Sequence, residues 1–246
     1  MKNKILFLTA THGDEGFVDV FKKLEKKYSQ EEYGYDWTIS NEKAYEKNTR
    51  FTEKDLNRSA PGNIKSNIYE EKRAAEIIEK SRSYDLIIDI HGTKSDFGIV
   101  TIVTYPTIQN LTLAYMAPNK RIVIWYAKKS QINGPLTQFC HCPAIEFECG
   151  PKNNIETAKK LHKTLEKFLQ QKKSFSLKQT LRLQKDKELY AVYGKMMSAS
   201  KKQTFVDFTP ITINKETFYP FMGKNEYKGI SCYKMRKINI KDQYLY

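Results

Sequence analysis

From residue 4 to residue 170 the chain alternates short, continuously apolar runs with longer stretches whose apolar residues recur every three to four positions. The runs at 4–10, 84–90, 99–104, 121–126 and 144–148 have the length and composition of buried strands. Between them, residues 16–29 place Phe17, Val20, Phe21 and Leu24 on one helical face, and residues 155–170 do the same with Ala158, Leu161, Leu165, Phe168 and Leu169. A third helix is expected from a cap at Asn67 to about Ser81, with Glu70 three residues on and Ala74, Ile77 and Ile78 as its buried stripe. Residues 30–65 are polar and aperiodic and read as loop, with a short strand near 37–39. Such alternation specifies an α/β fold: a mixed, largely parallel central sheet flanked by helices. Its functional residues are expected at the carboxyl ends of the strands.

Beyond residue 171 the pattern changes. Short runs at 189–193, 205–208, 217–221 and 230–235 are rich in aromatic and β-branched residues, so residues 172–246 read as a small β-rich C-terminal domain after a catalytic domain at 1–171. Charge changes at nearly the same place. Residues 1–150 carry 21 basic and 20 acidic side chains, whereas residues 151–246 carry 21 and 8. The tail has no recognisable nucleic-acid module and most of its cations are lysines scattered singly, so a solvated surface accounts for it better than a nucleic-acid partner. No apolar run approaches the ~18–20 residues of a membrane-spanning helix, and the mean hydropathy is −0.64. The first apolar run is too short for a signal peptide and reads as a strand. Four unevenly spaced cysteines do not make a disulfide framework, and a cytoplasmic protein is expected.

Two of the strand-like runs stop at histidine. His12 and Glu15 form an H-x-x-E pair in the turn after the first run, a spacing that lets an imidazole and a carboxylate converge on one ion. His91, closing the run at 84–90, supplies a third ligand of the same kind. Two histidines and one carboxylate form a hydrolytic zinc set with a coordination position left for water, and these N and O ligands suit zinc better than magnesium. Gly13 and Gly92 beside the histidines permit tight turns. Asp55 and Asp89 are candidates to orient the ligand histidines. Taken one at a time, each of these residues is equally well explained as an ordinary turn, capping or hydrogen-bonded side chain.

Four segments read together resemble the succinylglutamate desuccinylase/aspartoacylase family, relatives of the zinc carboxypeptidases. They are Thr11-His12-Gly13-Asp14-Glu15, Arg50 followed by Asp55-Leu56-Asn57-Arg58, Asp89-Ile90-His91-Gly92-Thr93, and Glu146-Phe147-Glu148-Cys149-Gly150-Pro151. The resemblance covers residues 5–151 and, more loosely, the tail. It implies one zinc ion held by His12, Glu15 and His91. It implies that Glu148, rather than Glu146 two residues before it, activates water and protonates the leaving amine. It implies that Arg50 polarises the scissile carbonyl, and that Asn57 and Arg58 bind the substrate α-carboxylate. Tyr227, in Asn225-Glu226-Tyr227, resembles a family tyrosine that reaches the substrate; a packed aromatic explains it equally well. One departure stands out: aspartate-releasing members carry an arginine about ten residues before the catalytic glutamate, where this chain has Gln138.

The expected function is therefore a zinc-dependent amidohydrolase acting on a small N-acyl amino acid. The rivals are a zinc carboxypeptidase trimming short peptides and a non-catalytic anion- or nucleic-acid-binding protein built on the basic tail.

Overall fold

The strands at residues 5–9, 86–92 and 144–150 are buried along their whole length and lie side by side in the middle of a mixed sheet. The computed structural model describes residues 4–126, 134–171, 186–197, 205–224 and 229–239. In chain order the strands are β1 (Ile5–Thr9), β2 (Tyr35–Ile39), β3 (Leu86–Gly92), β4 (Gly98–Val103), β5 (Arg121–Ile124), β6 (Ala144–Gly150), β7 (Glu188–Met197), β8 (Ile211–Ile213), β9 (Glu216–Phe221) and β10 (Ile230–Lys237). Their order across the sheet is β2-β1-β3-β6-β4-β5-β7-β10-β9-β8. β2, β1, β3 and β6 run parallel; β4 is antiparallel to β6, and β5 and β7 follow β4. The last strands are antiparallel to one another. The C-terminal β-rich region therefore continues the main sheet through the β5–β7 pair. The expected division at 171/172 falls at the edge of the described residues.

Helices cover both faces: α1 (Val18–Glu25), α2 (Gln30–Tyr33), α3 (Glu42–Glu46), α4 (Tyr69–Lys80), α5 (Ile108–Met116), α6 (Leu136–Phe139) and α7 (Ile155–Gln170). None of these is long and apolar enough to cross a membrane. One face of the sheet packs Phe7, Ile88, Ile90, Ile145, Phe147 and Cys149 against the apolar stripes of α1 and α7. Those stripes are the residues that the 3.6-residue period selects.

The opposite face is not continuous. On its β1 side Leu6, Leu8 and Ile87 pack on Ala74 and Ile77 of α4. On its β4 side Val100, Ile102 and Val123 pack on residues from β7, β9 and β10. Between these two apolar clusters Asp89, His91, Glu146 and Glu148 occupy alternate positions of β3 and β6, in register with one another. A polar strip through a buried sheet face opposes the hydrophobic driving force of folding, and it marks where this fold is put to use.

The expected elements recur with local differences. The 30–65 stretch contains α2, α3 and a 3₁₀ turn, Leu56–Arg58, besides the expected strand. Asn67 does not cap α4; the helix starts after Ile68 without a side-chain cap. Glu70, expected as the partner of that cap, instead turns its buried carboxylate to the preceding loop. It accepts hydrogen bonds from Thr52 N (2.7 Å), Thr52 Oγ1 (2.6 Å) and the N–H groups of Glu53 and Lys54. Residues 205–208 form a turn rather than a strand, because Phe208 adopts φ +63° and breaks the extended backbone.

Glu70 yields a stability prediction. Burial opposes its charge, but the hydrogen bonds from Thr52 and Glu53 outweigh burial and hold its pKa below the ordinary 4.5. The stabilisation is therefore fully present above that ordinary value and is lost as pH falls through the depressed one. Glu70→Gln is expected to lower stability by about 1–3 kcal/mol at neutral pH. In denaturant titrations the difference from the unmodified protein should shrink as the pH is taken below the carboxylate range.

Candidate active site

His12 leaves β1 in a tight turn closed by a hydrogen bond from Glu15 N to the His12 carbonyl (3.0 Å). The turn is possible because residue 13 is glycine: a Cβ there would collide with the backbone of Ala44. The same turn is anchored by Gly13 N donating to the Arg50 carbonyl at 3.2 Å. Glu15 is thereby aimed back over the sheet. Its Oε1 lies 2.8 Å from His12 Nδ1, and its Oε2 lies 3.3 Å from His91 Nδ1 and accepts from Gly92 N at 2.9 Å. Ligand atoms of His12, Glu15 and His91 fall within 4.8 Å of one another, and all three residues are buried.

Each imidazole has its second nitrogen on a carboxylate. His12 Nε2 is 3.0 Å from Asp55 Oδ1, and His91 Nε2 is 3.0 Å from Asp89 Oδ2. Both aspartates are themselves held, Asp89 by Thr11 Oγ1 (2.8 Å) and Asp55 by Asn57 N (3.0 Å). The aspartates fix both rings with Nδ1 facing the Glu15 carboxylate, and Arg50 Nη2 lies 2.8 Å from His12 Nε2 beside Asp55. The two aspartates stand where the sequence placed orienting carboxylates.

Arg50 joins this network from its loop, donating from Nη2 (3.1 Å) and Nε (3.3 Å) to Asp55 Oδ2, with Nη1 3.6 Å from Glu15 Oε1. Its guanidinium therefore borders the cluster. Asn57 accepts from Leu136 N through Oδ1 (2.9 Å), and Arg58 donates to the Asn57 carbonyl (2.7 Å). Arg50, Asn57, Arg58, Glu146 and Glu148 all line one cavity of about 250 Å³ together with His12, Glu15 and His91. Glu148 enters this cavity from the strand adjoining His91, its register partner.

The electrostatics follow from crowding carboxylates in a buried place. Burial drives Glu148 up to about 8, with His91 partly opposing and Glu15 and Glu146 adding to the shift. Glu146 is raised too, chiefly by burial, although Thr137 Oγ1 donates to it at 3.0 Å. Burial works against a charge on His91, yet Asp89 and Glu15 outweigh it and lift its pKa well above the ordinary value. Five carboxylates, of Glu15, Asp55, Asp89, Glu146 and Glu148, are buried here. A cation between His12, Glu15 and His91 would relieve that concentration of negative charge. The donor set and the aimed nitrogens fit a metal such as zinc.

Gln138 sits on α6 and is absent from the described cavity lining, and Tyr227 lies outside the described residues. The lining also includes side chains that sequence reasoning missed, among them Thr104, Trp125, Lys152, Met222 and Tyr233. Lys152 pairs with Asp14 at 2.5 Å. The aromatic and β-branched character of the tail was visible in the sequence, but not that its strands reach the cleft.

An α/β sheet carries a two-histidine, one-carboxylate cluster that could hold a metal ion beside a buried glutamate, and comparison with known proteins gives the family. The family model of the succinylglutamate desuccinylase/aspartoacylase catalytic domain matches residues 2–172, and the chain belongs to that family. It is 36% identical over 162 residues to a probable aspartoacylase of Prochlorococcus marinus, covering 60% of this chain and 54% of the relative. A second, from Prochlorococcus marinus subsp. pastoris, is 31% identical over 130 residues, covering 48% of this chain and 42% of the relative. The chain thus spans about half the length of these curated relatives. Among solved structures, murine aminoacylase 3 superposes with a TM-score of 0.72 at 15% identity, over 96% of each chain. The succinylglutamate desuccinylase of Chromobacterium violaceum superposes with a TM-score of 0.70 at 13% identity, over 97% of this chain and 86% of that one. These two share the fold.

The packing around residue 13 generates a prediction. Gly13→Ala must displace the backbone of Ala44, and a loss of about 1–3 kcal/mol is expected by thermal or denaturant unfolding. Gly16→Ala, where an added Cβ meets nothing within 4 Å, is the matched control and should lose much less.

Proposed function

We propose that this protein is a zinc-dependent amidohydrolase that cleaves the amide of an N-acyl amino acid or a closely similar small molecule. The observation that carries the reading is the convergence of His12, Glu15 and His91, with Glu148 in the same cavity. Membership of a family with deacylases among its named relatives supports it.

His12 and His91 through Nδ1, with the Glu15 carboxylate, would hold the zinc, leaving Asp55 and Asp89 to keep the rings oriented. Bound there, zinc supplies Lewis-acid polarisation of a carbonyl and lowers the pKa of water to about 7. Glu148 is the proton carrier: its buried carboxyl, in the same cavity as the cluster, can take a proton from water and deliver it to a departing amine. Arg50, fixed on Asp55, offers its guanidinium to the oxygen on which negative charge develops. Arg58, with the Asn57 amide nitrogen beside it, binds the substrate α-carboxylate. Gln138 and Tyr227 are assigned no role in this chemistry. A cavity of about 250 Å³ suits a small molecule better than a peptide, which favours the deacylase over the carboxypeptidase. The four cysteines as free thiols suit a reducing, cytoplasmic setting.

Purified protein is expected to contain one zinc per chain and to hydrolyse members of an N-acetyl amino acid panel. Glu148→Gln should lower kcat by about 10²–10⁴-fold while zinc content is unchanged, and Asp55→Ala should weaken zinc affinity by about 10–100-fold. Unaltered turnover in Glu148→Gln would remove the mechanism.

A further inference from the structure

Away from the His12–Glu15–His91 cluster the cavity changes character. Ile102 on β4, Trp125 just after β5, Met222 just after β9 and Tyr233 on β10 all line it. They also form one apolar unit, in which Trp125, Met222 and Ile102 are core members and Tyr233 packs against them. The Trp125 ring sits 4.5 Å from Tyr233 and 5.5 Å from Phe221, both edge-on. The turn bearing Met222 is tied down on both sides, since Phe208 N donates to the Pro220 carbonyl (3.0 Å) before it and, after it, Gly223 N donates to Asp207 Oδ1 (2.8 Å) and Lys224 N to Ser95 Oγ (3.3 Å). This wall is therefore preformed.

Apart from the buried Trp125 Nε1, which has no hydrogen-bond partner among the described residues, the polar groups nearest to it are engaged. Thr104 and Thr137 share a hydrogen bond of 2.8 Å, and Thr137 donates to Glu146, whose register neighbour on β4 is Ile102. Among the described residues the cations of the cavity come from other elements. Arg50 and Arg58 belong to the 50–58 loop, Lys152 is paired with Asp14, and Lys94 is exposed in the loop after β3. A substrate α-carboxylate has a place beside Arg58. A second carboxylate against the wall would shed its water beside Ile102 and the Glu146 carboxyl, an arrangement that disfavours its binding. An aliphatic or aromatic group placed there gains by leaving water.

We propose that the wall formed by Ile102, Trp125, Met222 and Tyr233 selects substrates with an apolar group at this position, so that the protein prefers N-acyl amino acids of aliphatic or aromatic character to N-acylated acidic amino acids. The inference rests on the proposed function for its substrate class. The apolar group is either the amino-acid side chain or the tail of the acyl group, and two probe series separate these sources.

The experiment measures both turnover and binding on the zinc-loaded full chain. One series is N-acetylglycine, N-acetylleucine, N-acetylphenylalanine and N-acetylaspartate; the other is N-acetyl-, N-butyryl- and N-hexanoylglycine. Turnover is read as kcat/KM on the unmodified protein, and binding by calorimetry on Glu148→Gln. In at least one series the apolar members are expected to exceed N-acetylglycine by about 10-fold or more, with N-acetylaspartate below it. Tyr233→Ala should shrink that ratio several-fold, and Met222→Lys, which puts a cation on the wall, should move the preference toward N-acetylaspartate. A preference of the unmodified protein for N-acetylaspartate, or equal values across both series, overturns the proposal. Apolar probes that bind selectively without being hydrolysed keep the wall's selectivity and end the hydrolase reading instead. Absence of binding by every probe overturns both.

Discussion

The register between β3 and β6 sets the terms for everything else in this molecule. Because the strands pair in parallel with Asp89 opposite Glu146 and His91 opposite Glu148, four ionisable side chains emerge side by side on one sheet face. Slippage of β6 by a single residue would turn Glu146 and Glu148 into the helix-covered core, where Phe147 now sits. The pairing is therefore locked by the apolar residues between them. Ile88, Ile90, Ile145 and Phe147 must reach the core under α1 and α7, and in doing so they present the site on the other side.

A strip of carboxylates inside a sheet is tolerable only when each group has a partner. Here the partners form a connected set: Thr11 holds Asp89, Asp89 holds His91, and Glu15 bridges His91 to His12, which Asp55 and Arg50 hold from the far side. The loop that delivers Arg50 and Asp55 is in turn fastened by Glu70 reaching out of α4. Glu148 is the exception, since burial raises its pKa instead of a hydrogen bond lowering it. A carboxyl left protonatable beside a cluster that could hold a cation is the arrangement expected of a proton carrier.

The C-terminal strands contribute more than bulk. Their link to the sheet runs through the β5–β7 pair, which places β10 and the end of β9 against β4 and β5 and brings Met222 and Tyr233 to the cavity. One molecule thus assembles its site from two sources. The parallel half provides the ionisable groups, and the antiparallel half provides the apolar surface that faces them.

Much of this was legible in the linear chain. Strand-like apolar runs broken by His12, His91 and Glu148, the H-x-x-E turn, and the helical stripes of α1 and α7 are local patterns, written in the spacing of residues close in sequence, and the structure reproduces them. Asp89, two residues from His91, was legible for the same reason, whereas the meeting of Asp55 with His12 spans 43 residues. What the chain alone did not reveal depends on contacts between distant segments. The direction of β4, the diversion of Glu70 from a helix cap to a loop 17 residues away, the absence of Gln138 from the cavity lining and the apolar wall are all of this kind. Short-range periodicity determines which face of an element is buried. Only packing decides which buried faces meet, because that choice is made by the fit of surfaces that the sequence holds far apart.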